Sequence, residues 1–259
     1  MKADSRESEA ALILCTADPE SVAEQIAGLG SIATYHLLPQ QTRTIHDVYY
    51  DTPDSQLDSR RLALRIRKQN GKSLIALKGP SERALASSLE RLEIEADWSW
   101  NSVQRILRHL AKRGVMLTNF NERIENANMF IKVLGLDICQ TRVTTRTIRK
   151  VVQGGVERNA VAELAVDNVE YIFGPGRRVR LHEIEIEAIG SGEMAIQVVS
   201  AYLLDRFGNA LREWPYSKIK TGKTIEAILK DAVPEGFLDS RNNLTPFAIR
   251  EIEDRLRNE

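Results

Sequence analysis

The chain has 259 residues, and its 36 lysines and arginines balance its 36 aspartates and glutamates, so the formal net charge is zero. This balance excludes attraction to nucleic acid or to an acidic membrane through overall charge, and a hydrophobic content of 42% excludes a disordered chain. There is no long apolar run, no signal-like start and no cysteine framework. We therefore expect a cytoplasmic protein with neither membrane nor nucleic-acid partners.

Alternation of apolar and polar residues predicts a series of strands along the chain. In order, these strands cover residues 44–51, 62–67, 74–78, 92–95, 140–152, 161–167 and 182–187. Asn70-Gly71 predicts a two-residue hairpin turn between the second and third of them, and Gly79-Pro80 predicts the end of the third. Because none of the strands is uniformly apolar, we expect antiparallel rather than buried parallel pairing.

Start and stop signals predict helices between the strands. They cover residues 18–29, 99–113, 121–134 and 192–207, and a last helix begins at Thr245-Pro246. We expect residues 1–225 to form one domain and residues 226–259 to form a C-terminal tail with a helix. That helix either docks on the domain or meets a partner, and we favour docking.

The charges of the predicted strands are separated by sign. The basic residues are Arg65, Arg67, Lys78, Arg142 and Arg146, and the acidic residues are Glu93, Glu95, Glu163, Asp167, Glu183, Glu185 and Glu187. Like charges ~7 Å apart on one face repel by about 0.6 kcal/mol in water and about 2.4 kcal/mol at an effective dielectric constant of about 20. An enclosed acidic strand therefore needs a cation, and oxygen ligands favour Mg²⁺ or Mn²⁺.

The strands alone leave two placements of these charges open. In a half-exposed antiparallel sheet, the charged faces would look at water. In a closed barrel with its helices outside, the helices would cover the apolar faces, and the charged faces would point inward. Such an interior would suit a ligand with several phosphates together with a divalent cation. Both placements belong to the α+β class.

Seven short motifs, in chain order, resemble those of the CYTH superfamily, the triphosphate tunnel metalloenzymes. They are Asp51-Thr52-Pro53 with Leu57, Leu64-Arg65-Ile66-Arg67, Leu77-Lys78-Gly79-Pro80, Glu93-Ile94-Glu95, Glu163 to Asp167 after Arg146, Glu183 to Glu187, and Ser217-Lys218. The superfamily includes class IV adenylyl cyclases, thiamine triphosphatases and inorganic triphosphatases. Each motif is weak by itself, and the specificity lies in their order.

This resemblance implies an eight-stranded antiparallel β-tunnel, a closed barrel with a charged interior and helices packed outside. By the matched positions, the substrate phosphates would bind Arg65, Arg67, Lys78, Arg146 and Lys218. A divalent cation, Mg²⁺ or Mn²⁺, would bind Glu7, Glu9, Glu183 and Glu185. The catalytic residues would be Glu183, Glu185 and Lys218, and supporting positions would be Glu93, Glu95, Asp167, Glu187, Arg142 and Lys220.

One motif departs from the family pattern. The first strand of the family carries Glu-x-Glu-x-Lys, whereas Glu7-Ser8-Glu9-Ala10-Ala11 keeps both acids and has alanine at the lysine position. A frame that starts at Glu9 would place Ala11 and Ile13 at the other two positions. We prefer the first frame, because Leu12-Ile13-Leu14 then matches the apolar run after the motif.

Three functions are consistent with these observations. The first is metal-dependent hydrolysis of a triphosphate-containing small molecule by a monomer or homodimer, with cyclic AMP formation from ATP as a sub-case. The second is a module that binds triphosphate or polyphosphate without chemistry, which the alanine at position 11 favours. The third is an α+β domain with a solvated charged sheet and a partner-binding tail.

Overall fold

The computed structural model describes residues 8–84, 88–117, 124, 126–154, 159–174, 176–231 and 233–258, but not the side chains of 80–84, 88–93 and 128. Its strands are β1 (Glu9–Leu14), β2 (Ser31–Ile32), β3 (Tyr35–Leu37), β4 (Gln41–Asp51), β5 (Ala63–Gln69), β6 (Lys72–Ala84), β7 (Ser88–Asp97), β8 (Asp137–Gln153), β9 (Ala160–Phe173), β10 (Arg177–Ala188) and β11 (Leu211–Glu213). Its helices are α1 (Pro19–Ala27), α2 (Gln56–Ser59), α3 (Trp100–Lys112), α4 (Ala127–Leu134), α5 (Glu193–Phe207), α6 (Lys218–Asp231) and α7 (Pro246–Asn258).

The strands form one large antiparallel sheet. Hydrogen bonding orders them as β11-β1-β10-β9-β8-β4-β5-β6-β7, with β2 and β3 attached through β8. The expected eight-stranded closed barrel is wrong in two respects. The described chain has eleven strands rather than eight. Strands β2, β3 and β11 were not predicted from the sequence because they have only two or three residues each, too few to show alternation. The order also ends at β11 and β7, and the three residues of β11 offer too little edge for closure.

The described chain divides into two compact units, one formed by residues 45–142 and the other by residues 8–44 with 143–258. Strands β4 and β8 contribute residues to both units. No helix among the described residues is long and apolar enough to cross a membrane.

In the first unit, the β5–β6 hairpin turns where the sequence predicts it. Asn70 and Gly71 both have positive φ angles, 50° and 72°, as a type I′ turn requires. The predicted end of β6 at Gly79-Pro80 is wrong, because the strand continues after a register shift between Lys78 and Ser81. A β-bulge of this kind accommodates one extra residue in β6 while β6 stays paired with β7.

The core of the first unit lies between the apolar faces of β5, β6 and β7 and the helices α3 and α4. Helix α3 begins after Ser99, whose hydroxyl oxygen accepts a hydrogen bond from the Ser102 backbone amide. Its buried stripe and the strand residues below it include Val103, Ile106, Leu110, Leu64, Ile66, Ile75 and Leu77. Helix α4 is shorter than the predicted 121–134, whose residues 121–123 and 125 lie outside the described chain.

In the second unit, β1, β9 and β10 bury both of their faces. One face packs on α1 and α5 and includes Leu164, Val166, Ile184, Ile186, Ile26 and Val199. The other face carries the acidic residues of β9 and β10, and farther along these strands it packs on α6 and α7. The apolar part of that second face includes Ile13, Val169, Tyr171, Val179, Leu181, Ile225, Ile249 and Ile252.

The C-terminal helix docks on its own unit, as favoured from the sequence. Thr245 caps α7 by accepting a hydrogen bond from the Ala248 backbone amide, and Ile249 and Ile252 are fully buried. Helix α6 was not predicted, although it is fourteen residues long. It runs across the predicted domain boundary between residues 225 and 226, and that boundary stays a prediction.

Candidate functional site

Five charged side chains of the second unit meet in what we call the carboxylate cluster: Asp167, Glu183, Glu185, Arg146 and Lys218. Arg146 donates from Nε and Nη2 to the two carboxylate oxygens of Asp167 over 2.7 and 2.6 Å, and from Nη2 also to Glu185. The Nζ atom of Lys218 lies 3.1 Å from a Glu183 oxygen and 3.3 Å from an Asp167 oxygen, and it donates to Glu185. Each of the two cations therefore bridges carboxylates.

Burial decides between the two placements of charge for this part of the sheet. Asp167 is 0% exposed and Glu183 is 2% exposed. A solvated charged face is therefore wrong for β9 and β10 at this point. The desolvation of these carboxylates is offset by their hydrogen bonds to Arg146 and Lys218, since buried charges persist in proteins when they are paired.

Three strands and one helix position the carboxylate cluster. Glu183 on β10 lies directly opposite Asp167 on β9, and Arg146 comes from β8. Lys218 is the first residue of α6, where the Ser217 hydroxyl accepts a hydrogen bond from the Lys220 backbone amide. The Tyr171 hydroxyl donates to the Lys218 carbonyl over 3.0 Å, which anchors the start of this helix on β9.

The protonation of the cluster is strongly perturbed. Burial raises the pKa of Glu183 to about 7, with Lys218 opposing this shift and Glu185 adding to it. Burial acts in the same direction on Glu185, but Lys218 and Arg146 hold the pKa of Glu185 well below its usual range. The carboxylates in turn raise the pKa of Lys218 above its usual range, although burial opposes this shift. The pKa values of the two glutamates thus shift in opposite directions, and Glu185 is the one that both cations contact.

A second set of charges lies in the first unit, and we call it the arginine cluster: Arg65, Arg67, Arg142, Asp47, Tyr49 and Glu95. Arg67 donates from Nε and Nη2 to the two oxygens of Asp47 over 2.8 and 2.9 Å. Arg142 Nη2 donates to Asp47 over 3.1 Å and to the Tyr49 hydroxyl over 2.6 Å. Arg65 Nη2 donates to Glu95, whose side chain is 38% exposed.

Asp47 is the most buried charge of the arginine cluster, at 1% exposure. Burial by itself would raise the pKa of Asp47, but the hydrogen bond from Arg67 and the charges of Arg142 and Arg65 hold it well below its usual range. Burial likewise opposes ionisation of Tyr49, yet the charges of Arg142 and Arg65 lower its pKa. The guanidinium groups therefore dominate the electrostatics of this cluster.

The two clusters as defined above do not name the remaining predicted site residues. Glu9 is exposed at the start of β1, where it pairs in register with Glu187 of β10. Lys78 on β6 pairs in register with Ala63 of β5 and with position 93 of β7. The Nζ atom of Lys220 lies 5.8 Å from the centre of the Tyr216 ring. Glu7 and the side chain of Glu93 lie outside the described part of the chain.

Sequence reasoning missed Asp47 and Tyr49. A signal for them exists, because Asp47 and Tyr49 alternate with His46 and Val48 on a predicted strand. That parity places them on the same face as Arg67 and Arg65, their register partners on β5. The sequence of one strand does not show which other strand it pairs with, and that pairing sets the register between Asp47 and Arg67.

The carboxylate cluster offers ligand chemistry that suits a divalent cation, since all its donors are oxygen atoms. In the described residues, however, no three or more His, Cys, Asp or Glu side chains are arranged as a metal-binding group. Arg146 and Lys218 lie against the carboxylates instead. The donor atoms therefore suit a divalent cation, but the described side chains are not arranged to hold one. The predicted ligands Glu183 and Glu185 stay a prediction.

The amino-acid sequence matches the model of a known protein family. The sequence model of the CYTH domain matches residues 19–213, most of the chain. The chain belongs to the CYTH domain family. The resemblance read from the sequence motifs is thereby confirmed, and the match includes the strands of both clusters. No curated protein sequence matches the chain.

Several solved structures resemble this chain at low sequence identity. A Hippeastrum protein, described as a candidate adenylyl cyclase with a dominant triphosphatase activity, is 18% identical with a TM-score of 0.51, over 85% of this chain and 97% of its own. A candidate adenylate cyclase from Bacillus halodurans is 16% identical with a TM-score of 0.48, over 87% and 96%. A Pyrococcus horikoshii protein is 18% identical with a TM-score of 0.42, over 87% and 99%.

Proposed function

We propose that this CYTH protein is a divalent-metal-dependent hydrolase of triphosphate-containing small molecules such as tripolyphosphate, thiamine triphosphate or a nucleotide. The observation that carries the proposal is the carboxylate cluster, in which Arg146 and Lys218 meet three carboxylates within a largely buried site. Paired arginine, lysine and carboxylate groups are what phosphoryl transfer needs, because that reaction depends mainly on positioning and charge neutralisation. The Hippeastrum relative is described as having a triphosphatase activity.

The side chains of the cluster divide into two roles under this proposal. Glu183 and Glu185 would hold Mg²⁺ or Mn²⁺, with Asp167 beside them. The cation would supply neutralisation of phosphate charge and orientation of the phosphate chain for in-line attack. Arg146 would bind phosphate oxygens through its planar fork, and Lys218 would bind them as a point charge.

The two cations are bonded to the carboxylates in the present structure, so binding of substrate requires an exchange of partners. Arg146 and Lys218 would bind phosphate oxygens if a divalent cation took their places beside Glu183 and Glu185. Metal and triphosphate would then bind together, because the metal would replace the two side chains at the carboxylates and the phosphates would accept their hydrogen bonds. Arg65, Arg67 and Lys78 are proposed as further phosphate ligands on the strength of the motif match.

A phosphate-release assay tests the proposal. Purified protein is given tripolyphosphate, thiamine triphosphate and ATP in separate reactions, with Mg²⁺, with Mn²⁺ or with a chelator. We expect metal-dependent release on at least one substrate and a loss of about a hundredfold in Glu185→Gln, which removes a charge from the ligand set. Glu170→Gln is the matched control, because Glu170 lies on β9 and pairs with Arg178 and Arg180 outside the cluster.

The result that would overturn the proposal is release no faster in the wild type than in Glu185→Gln on every substrate and with either metal. Cyclic AMP in the ATP reaction, instead of released phosphate, would identify a cyclase. The Glu170→Gln variant should keep wild-type rates within a factor of about two, since substitutions away from a site have small effects.

One observation favours the alternative of a binding module without turnover. Ala11, at the position of the family's motif lysine, lies directly opposite Glu185 in the β1–β10 pairing. The lysine would therefore be a neighbour of Glu185, and the described chain places Lys218 and Arg146 against that carboxylate instead. Tight binding of tripolyphosphate with no turnover, together with activity gained in Ala11→Lys, would establish this alternative.

A further inference from the structure

Asp47 lies where the guanidinium groups of the arginine cluster come together. Both of its carboxylate oxygens accept hydrogen bonds from Arg67, and Oδ2 also accepts from Arg142 over 3.1 Å. The same oxygen lies 3.9 Å from Nη1 of Arg65. Asp47 is therefore the shared contact of three arginines that come from two different strands, β5 and β8.

The strand register makes this contact part of the fold rather than a chance meeting of long side chains. Asp47 pairs with Arg67 and Tyr49 pairs with Arg65 across β4 and β5, so all four side chains share one face. The Tyr49 ring also contacts Arg142, since the ring centre lies 4.8 Å from the Arg142 guanidinium carbon. Its hydroxyl accepts a hydrogen bond from the same guanidinium.

Asp47 and Glu95 both contact arginines, but they differ in exposure. The Glu95 side chain is 38% exposed and accepts from Arg65, so an incoming anion can displace it. The Asp47 side chain is 1% exposed and its oxygens are occupied, so a ligand cannot reach it. A bidentate bond to Nε and Nη2 also fixes the plane of the Arg67 guanidinium, and with it the direction of the remaining donors.

We propose that Asp47 is a positioning residue for anion binding: it orients Arg67 so that the guanidinium nitrogen not bonded to Asp47 faces a bound phosphate chain. This inference rests on the proposed function, since it takes a triphosphate as the anion. It opposes the simple electrostatic expectation. If Asp47 acted through charge, its removal would strengthen anion binding, because a buried negative charge would disappear next to the site.

Calorimetric titration with inorganic tripolyphosphate in the presence of a chelator separates the two possibilities. The chelator removes divalent metal, so the measured affinity does not depend on metal binding at the carboxylate cluster. We expect Asp47→Asn to weaken the affinity about tenfold, the equivalent of one lost charge-assisted hydrogen bond. Glu95→Gln should strengthen the affinity, because it removes the exposed competitor for Arg65. Asp97→Asn, an exposed carboxylate on β7, is the control for the loss of one negative charge in the same unit.

Asp47→Glu guards against a variant that does not fold. Asp47→Glu keeps the charge but moves the carboxylate by one methylene. A positioning role therefore predicts weaker tripolyphosphate binding, whereas a pure charge effect predicts an unchanged affinity. The number of tripolyphosphate molecules bound per protein distinguishes a positioning role of Asp47 from a purely structural role. A structural role would lower the melting temperature and the bound fraction while leaving the Kd of the folded protein unchanged.

The outcomes bear differently on the two proposals. A wild type that binds no tripolyphosphate overturns the proposed function and this inference with it. A wild type that binds, with Asp47→Asn or Asp47→Glu at equal or higher affinity, overturns the inference alone. Weaker binding in both Asp47 variants, at full stoichiometry and with Asp97→Asn unchanged, supports it.

Discussion

Lys218 stands at the centre of the carboxylate cluster, where it contacts all three carboxylates. An ammonium group in this position neutralises charge that would otherwise repel inside the fold. The same position would be needed by a divalent cation that binds Glu183 and Glu185. Lysine and metal are thus expected to compete, and the competition can be measured without any turnover.

Lys218→Met keeps the apolar stem of the side chain and removes the charge. We expect this variant to bind Mn²⁺ at least about tenfold more tightly in the absence of triphosphate, because the competing ammonium is gone. Calorimetric titration with MnCl₂ measures the effect. Lys230→Met is the control, since Lys230 lies on the same helix, is exposed and pairs with Glu226. Equal or weaker Mn²⁺ binding in Lys218→Met would show that lysine and metal do not share these ligands.

The depressed pKa of Asp47 predicts how stability depends on pH. Because the pKa is lower in the folded state than its usual 3.8, folding favours the ionised form. The contribution of Asp47 is therefore fully present above about pH 4 and is lost as the pH falls through the lower folded-state pKa.

Asp47→Asn should accordingly cost about 3–5 kcal/mol of unfolding free energy at neutral pH, because it breaks a buried ion pair. The variant should also lose stability less steeply than the wild type between about pH 4 and about pH 2. Urea unfolding followed by circular dichroism at several pH values measures both quantities. Parallel pH profiles for the two proteins would contradict the assignment of the shift to Asp47.

At the scale of elements, α6 and α7 show how the C-terminal part of the chain supports the site. Lys218 begins α6, and α7 packs beside α6 on the apolar end of the same strand face. Glu253 of α7 accepts a hydrogen bond from Arg212 of β11 over 2.6 Å, which ties the helix to the sheet edge. The docking of α7 is therefore expected to contribute to the stability of the second unit.

Ile252→Ala tests this contribution. Ile252 is 0% exposed on α7, so its truncation should reduce the unfolding free energy by about 2–5 kcal/mol through lost burial and a residual cavity. Urea denaturation gives the value. The matched control is Ile138→Ala, since Ile138 is 62% exposed on β8 and should cost less than about 1 kcal/mol. Similar losses in both variants would mean that α7 adds little to the fold.

At the scale of the whole molecule, the zero net charge conceals two local sets of opposite character. The named side chains of the arginine cluster comprise three guanidinium groups and two carboxylates. Those of the carboxylate cluster comprise three carboxylates and two cations. Each set is built around buried charges, so neutrality in composition does not mean a neutral interior.

The sequence by itself determined the α+β class, the main strands, most of the helices and the family. Alternation and start and stop signals are local, and the CYTH motifs follow the strand pattern, so both can be read along the chain. Tertiary structure decided the rest. The short strands β2, β3 and β11 and the helix α6 exist because of the neighbours they pack on. The meeting of Lys218 with Glu183, and of Asp47 with Arg142, depends on strand pairing and helix docking between residues far apart in the chain, which no local pattern encodes.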